Sequence, residues 1–464
     1  MEKDTYHIDL TQGNLIKNLF AFSVPLMLTN CLQMVFNAAD TIVVGKFSGS
    51  TALAAVGATG SVIFLLISLF NGITIGTNIV VSKYIGAKDD EKTRIASHTS
   101  IWLAIAIGIF LTCVGFFFSR PLLKLMSTPE DLIEYSTMYM KIYFTGIIFM
   151  LVYNFATAIL RSSGDTKRPL YFLMIAGALN VVLNLLFVIV FHLGVVGVAL
   201  ATVISQAVSA ILVMITLMNE TNATKFYWTY CKLNLPIAKE ILSIGIPAGI
   251  QGLVFSFSNV VIQSSINSFN SSNLIAGNSA AVNLENFVYI GMDAFDKATA
   301  TFTAANVGSS NYKQIKKILL ITMILTVASG LLISGIIYLN SNLFLRLYTN
   351  SSDVVHYGMY RLAFVTLLLP IQGIADTFIG SSRGMGYSSV STLLMLVGIC
   401  GVRLVWLFTA FSAVRKLEVL YACFPISWVI TGIVEGVVWV YSYRRFMKEK
   451  KDCEKISTSF NYKQ

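Results

Sequence analysis

Charge is scarce in this sequence. Only 12% of its residues are Asp, Glu, Lys or Arg, about half the share of a soluble domain. With 55% of 464 residues hydrophobic and a mean hydropathy of +0.72, the chain has more apolar surface than one water-soluble interior can hide. A bilayer removes that difficulty. Each crossing takes about 20 mostly apolar residues, so the length accommodates about a dozen spans with short loops and no sizeable domain outside the membrane.

Other absences narrow the function. The six cysteines (Cys31, Cys113, Cys231, Cys400, Cys423, Cys453) are scattered, without a C-x-x-C pair or metal spacing, which argues against a disulfide framework or a metal site. The four histidines, His7, His98, His192 and His356, fall at loops or the ends of apolar runs. No H-E-x-x-H, Walker loop, G-x-S-x-G or strand-borne G-x-G-x-x-G occurs. An enzyme is therefore not expected, nor a cofactor. Without a nucleotide-hydrolysing loop, an ion gradient is the natural energy source. The N-terminal MEKDTYHIDLTQG lacks a basic region and cleavage site, so the first apolar run reads as an uncleaved signal anchor.

Apolar runs fall at about 14–44, 52–82, 94–118, 132–160, 169–191, 195–218, 238–267, 275–305, 315–339, 354–381, 389–411 and 418–443. They predict an N-terminal six-helix lobe over 1–218, a linker over 219–237, a C-terminal lobe over 238–443 and a basic tail over 444–464. The net charge of +10 does not imply nucleic acid, because the basic residues collect in alternate loops. One side holds Lys83, Lys88, Lys92 and Arg94, then Arg161, Lys167 and Arg168, then Lys225, Lys232 and Lys239. Lys313, Lys316 and Lys317 follow, with Arg444, Arg445, Lys448, Lys450 and Lys451 in the tail. The other side holds only Lys46, Arg120, Lys124, Arg346, Arg415 and Lys416. By the positive-inside rule both termini are cytoplasmic.

Sliding the sequence on itself by 222 residues aligns Pro25 with Pro247, Asn37 with Asn259, Gly86 with Gly308, Arg161 with Arg383 and Gly164 with Gly386. Each half has an even number of spans, so the copies share one orientation. The expected fold is an all-α integral membrane protein of twelve transmembrane helices in two parallel six-helix bundles, related by a pseudo-two-fold axis along the membrane normal. Repeats of this kind offer a cavity between bundles that rock.

Polar groups inside spans are costly and mark candidate sites. In the first run Asn30, Gln33, Asn37 and Asp40 recur on one helical face. Asp40 is the carboxylate of that stripe, able to exchange a proton or to ligate Na⁺; a helix cap or ion pair is the structural alternative. Asn180 and Asn184 form an i, i+4 amide pair, equally suited to interhelical hydrogen bonding. Gln251, Asn259 and Gln263 lie in the seventh run. The eighth carries Asn278, Asn283, Glu285, Asn286, Asp293, Asp296 and Lys297. Asp293 and Lys297 are spaced as an internal ion pair, whereas Glu285 and Asp296 have no local partner. Gln372 and Asp376 follow in the tenth run, Asp376 aligning with Asn154 in the fourth. Arg403 is a candidate partner for one of these acids; Glu435 has no spacing argument behind it. Phe116 to Phe118, Tyr441 and Tyr443 fit interfacial belts.

NAADTIVVGKFSGSTALAAVG, ILRSSGDTKRP, LNVVLNLLFV and the weaker RGMGYS, set in two parallel sixes, resemble the multidrug and toxic compound extrusion family over about residues 12–445. The resemblance implies cation-coupled antiport in a bacterial cell membrane: H⁺ or Na⁺ enters while cationic or amphipathic small molecules leave, the transporter acting as a monomer. It implies a coupling role for Asp40 with Asn37, Asn180 and Asn184. Candidate substrate contacts are Gln33, Asn154, Gln251, Asn259, Gln263, Glu285, Gln372 and Asp376. The chain departs from the family pattern at Asn184, where many members carry a carboxylate. It departs again at Phe255, Ser256 and Gln372, and at TAANVGSS after the eighth run. A lipid-linked oligosaccharide flippase of the same superfamily is the alternative. Its cavity would be strongly basic, whereas the intramembrane charges here lean acidic. A membrane-embedded enzyme or receptor is disfavoured by the repeat and the missing catalytic motifs.

Overall fold

The computed structural model describes residues 6–126, 128–230 and 233–461, and no strand occurs among them. Twelve long helical rods run in chain order. They are α1 (Leu15–Phe47), α2 (Gly49–Gly86), α3 (Asp90–Leu125), α4 (Glu130–Ser162), α5 (Lys167–Val190) and α6 (Gly194–Asn219). The second six are α7 (Leu235–Asn267), α8 (Ser272–Gly308), α9 (Tyr312–Leu339), α10 (Ser352–Gly384), α11 (Ser388–Phe411) and α12 (Leu417–Asn461). Each coincides with one expected apolar run. Ten have the length and hydropathy to cross a membrane. The other two, α2 and α8, are as long, at 38 and 37 residues; α8 carries four charged side chains in its middle.

The helices divide into two compact units. One comprises the residues up to Leu10 with Val24–Gly249; the other comprises Thr11–Ser23 with Ile250–Gln464. In the first unit α4 packs on α2, α3 and α6, and α5 packs on α6. In the second, α8 packs on α9 and α10, and α10 on α12. The core of the second unit includes Met292, Leu362, Tyr421 and Trp428. Phe20 and Phe22 also lie in this unit, edge-on to Phe295 and Phe302 with ring centroids 5.9 and 5.5 Å apart.

The 222-residue repeat is visible in the backbone. Pro25 and Pro247 sit inside α1 and α7, and Gly86 and Gly308 close α2 and α8. Gly164 and Gly386, just after α4 and α10, have φ of +88° and +95°. Lys88 and Ser310, one repeat apart, share the left-handed region at 53° and 58°, which their residue types do not advertise. The rod α10 breaks around the 3₁₀ turn Thr366–Leu368 and restarts at Pro370, whose ring removes a backbone donor and clashes with the preceding turn.

The polar stretch after α6 is pinned to α3. The Tyr227 backbone N–H donates to His98 Nε2 at 2.9 Å, and the Phe226 ring stacks on the same imidazole at 4.8 Å. Cys231 and Lys232 lie outside the described residues, as does the side chain of Cys453; Cys31, Cys113, Cys400 and Cys423 are free thiols. One belt assignment is corrected. Tyr441 is exposed, but Tyr443 is buried and stacks on Trp439 at 5.2 Å, because the helical repeat turns it inward.

Candidate functional site

The first unit brings Asp40, Asn180 and Asn184 together. Asn180 and Asn184 are one turn apart on α5 and buried. Asn184 Nδ2 donates to Asp40 Oδ1 at 2.5 Å and to Asn180 Oδ1 at 3.2 Å. Asn184 Oδ1 is buried and has no hydrogen-bond partner. A glycine one turn before Asn180 makes the approach possible, since a Cβ at Gly177 would lie 1.9 Å from the Phe36 ring of α1. Phe36 is itself one turn before Asp40, so the glycine and the ring set the spacing of the two helices at the site. Tyr139 and Tyr143 on α4 lie within electrostatic reach of Asp40. Gln33 and Asn37, on the same stripe of α1, are exposed. Asn154 is half-buried and donates to Asn71 of α2 at 3.5 Å.

The second unit holds two polar groups of different character. In one, Glu285 is clasped by Arg361 of α10, with Nε to Oε1 and Nη2 to Oε2 both at 2.8 Å. Thr366 donates to Glu285 Oε1 at 3.1 Å, and Arg361 Nη1 donates to Asn278 Oδ1 at 2.7 Å. Asn278 passes the chain to Gln263 at 3.1 Å, and Tyr421 closes it at 3.2 Å. Glu285 thus has no local partner, in keeping with its spacing, but it is not unpaired. Its partner comes from another helix, and a bidentate guanidinium–carboxylate pair is a satisfied structural unit.

The other group gathers Asp293, Asp296 and Lys297 of α8 with Gln372, Asp376 and Arg383 of α10. Lys297 binds Asp293 at 2.6 Å, the i, i+4 pair that their spacing predicts. Arg383 Nη1 lies 3.9 Å from Asp296, and Arg383 Nη2 donates to Gln251 Oε1. Gly380 allows α10 to approach, since a Cβ there would lie 2.3 Å from Asp296 Oδ1. Gln372 and Asp376 are both buried, whereas Asn259 on α7 is exposed.

The sequence profile of the MatE family matches residues 25–186 and again residues 247–409. The chain belongs to the MatE family. The two matches begin 222 residues apart, the spacing at which the sequence aligns with itself. This MatE chain is similar to the probable multidrug resistance protein YpnP of Bacillus subtilis. The two are 31% identical over 417 residues, covering 87% of this chain and 90% of that protein. It is also similar to the multidrug export protein MepA of Staphylococcus aureus, 22% identical over 85% of this chain and 87% of that protein. Among solved structures, a MOP superfamily transporter from Pyrococcus furiosus shares the fold with a TM-score of 0.87 at 22% identity, covering 97% of this chain and all of that one. An outward-facing multidrug resistance MATE family transporter gives 0.86 at 23%, with the same coverage. Members of the family are transporters, and this MatE chain is a transporter rather than an enzyme.

Two features of this MatE chain escape sequence reasoning. Arg361, which neutralises Glu285, sits 76 residues further along the chain, and no periodicity links the two. Arg403 does not partner an acid as expected. It is buried, gives Nε to Ser427 Oγ at 3.1 Å, and lies over the Phe424 ring at 4.6 Å, while Nη1 and Nη2 have no hydrogen-bond partner. Glu285, the acid within its electrostatic reach, is already taken by Arg361.

Proposed function

We propose that this MatE transporter exports cationic or amphipathic small molecules in exchange for H⁺ or Na⁺, by alternating access, with Asp40 as the coupling carboxylate. The observation that carries the reading is the unpartnered Asn184 Oδ1 beside Asp40. A buried acceptor without a donor is unfavourable. A proton on Asp40, or a hard cation ligated by Asp40 with the Asn180 and Asn184 carbonyl oxygens, supplies what it lacks. Asn184 stands where a second carboxylate would allow two acids to share a proton, so a single titratable group serves this side. The substrate class follows the names of its relatives, a multidrug resistance protein and a multidrug export protein, and the acidic lean of the membrane interior. The reading also takes the cell membrane as location, with cytoplasmic termini and a monomer.

The deciding experiment is efflux of a fluorescent organic cation from proteoliposomes under a proton gradient or a sodium gradient imposed alone. One gradient should drive efflux in the unaltered protein and fail to do so in Asp40→Asn that inserts normally. Equal efflux by Asp40→Asn would remove Asp40 from coupling. The oligosaccharide flippase reading needs basic side chains free to hold a pyrophosphate. Arg361 is committed to Glu285, Arg383 faces carboxylates, and Arg403, though two of its nitrogens are unpartnered, is buried over the Phe424 ring, which favours cation export.

A further inference from the structure

Glu435 lies in the middle of α12 and is fully buried, at 0% exposure. Neither carboxyl oxygen has a hydrogen-bond partner, and Ser391 Oγ of α11 approaches without completing a bond and is itself unpartnered. An ionised carboxylate in such a place has lost its water and gained no hydrogen bond in return, a cost on the order of several kcal/mol.

The charges around it make the point sharper. On α10, Arg383 is the cation within electrostatic reach. That guanidinium also faces Asp296 and Asp376, gives one nitrogen to Gln251, and leaves Nε without a partner. Lys297 on α8 is committed to Asp293. Arg403 on α11 is held level with Ser427, eight residues from Glu435, or about 12 Å along α12. Arg361, on the first half of α10, lies over Tyr421, further away still. Lys316 on α9 lies over Tyr443, eight residues beyond Glu435 in the other direction. If Asp293, Asp296, Asp376 and Glu435 were all ionised, four carboxylates would share Lys297 and Arg383. Two negative charges would then stand uncompensated inside the membrane.

We propose that Glu435 is an occluded proton-binding site of the second unit, separate from Asp40, carrying an exchangeable proton that leaves when Arg383 turns its unused Nε–H toward it. In that step the carboxylic O–H bond breaks, the proton passes to water, and the carboxylate left behind pairs with the guanidinium. A proton suits the site better than a metal ion. Two carboxyl oxygens and one hydroxyl fall short of the coordination shell of a hard cation, whereas a proton needs only the oxygen it sits on. The inference does not rest on export, on Asp40 or on which ion Asp40 takes.

The test is infrared difference spectroscopy of the full-length protein in liposomes, titrated from acid to alkaline buffer without substrate. The expected result is a high-frequency carboxylic C=O band of a non-hydrogen-bonded acid. It should be lost on raising the pH, retained in Asp40→Asn and missing from Glu435→Gln. A band of undiminished area in Glu435→Gln overturns the assignment, as does a wild-type protein without such a band in acid. A band that never titrates shows that the proton is not exchangeable and overturns the proposal too. Loss of the band on adding Na⁺ at constant pH would reassign the site to a metal cation. If Glu435→Gln does not insert, Glu435→Asp keeps a carboxyl one methylene shorter and should move the band; an unmoved band is again contrary. These readouts are taken at rest, so they stand apart from the efflux test of Asp40.

Discussion

Asn184 donates its amide to Asp40 across 2.5 Å while its own carbonyl oxygen, buried on α5, accepts from nothing. The amide thus holds the acid in place and keeps an acceptor ready for a proton or cation. Asn184→Ala should lower ion-driven efflux at least tenfold while leaving the amount of inserted protein unchanged. Asn184→Asp should restore coupling and change its pH profile, because a second titratable group then faces Asp40. Gradient-driven efflux in proteoliposomes measures both, and wild-type behaviour in Asn184→Ala would contradict the site.

The close approach of α1 and α5 depends on Gly177, whose Cβ would enter the Phe36 ring. Gly177→Val should cost both efflux and thermal stability. Gly335 in α9 has nothing within 4 Å of its Cβ position. Gly335→Ala should therefore be neutral or slightly stabilising, since Gly to Ala inside a helix favours the folded state by up to about 1 kcal/mol. Melting in detergent compares the two; equal Tm losses would show that the α1–α5 spacing is not the cause.

Breaking the Glu285–Arg361 clasp should be among the most damaging single changes in the second unit. Arg361→Met leaves a largely enclosed carboxylate with Thr366 as its remaining donor, and loss of one partner from a buried pair costs about 3 to 5 kcal/mol. The double variant Glu285→Gln with Arg361→Met should recover much of the lost Tm. Failure of the second change to rescue the first would mean that Arg361 matters through Asn278 and Tyr421 instead.

A pH-dependent contribution is expected where the first unit holds His7. His7 Nε2 lies 3.4 Å from Glu220. The hydrogen bond with Glu220 raises His7 above its ordinary value, against the opposing effect of burial. A raised folded value means stability that is fully present below the unfolded value, about 6.5, and lost as pH rises through the folded one. For Glu220, burial pushes upward, but His7 and Arg168 together hold the carboxyl below its ordinary value. Its contribution is therefore present above the unfolded value and lost as pH falls through the folded one. His7→Gln should reduce Tm more in mildly acidic than in alkaline buffer, and an equal loss at both would rule the ion pair out.

The two left-handed glycines of the repeat should respond unequally. Gly164→Ala meets both the strain of φ +88° and the Ile8 carbonyl oxygen 2.1 Å from the new Cβ. Gly386→Ala meets only the strain of φ +95°, with nothing within 4 Å, a penalty on the order of 1 kcal/mol. Thermal melting should rank Gly164→Ala well below Gly386→Ala.

By itself the sequence determined the helices, their number and their duplication. Crossing hydrocarbon forces long apolar segments, and Pro25, Gly86 and Gly164 return 222 residues later as Pro247, Gly308 and Gly386. Helical spacing, being local, also marked Asp40 in its polar stripe and Asn180 with Asn184 as an amide pair, and the family resemblance joined the three. Only the tertiary structure decided which acids are neutralised and which stand alone. Glu285 has its guanidinium 76 residues away and Asp40 its amide 144 residues away, and no periodicity encodes such pairings. Arg403 shows the same limit from the other side, since its neighbours proved to be rings and a hydroxyl. Glu435, the acid within the apolar stretch of α12 between Glu418 and Glu449, carries no pattern at all. What makes it notable is the absence of partners, and an absence of partners exists only once the neighbouring helices have packed.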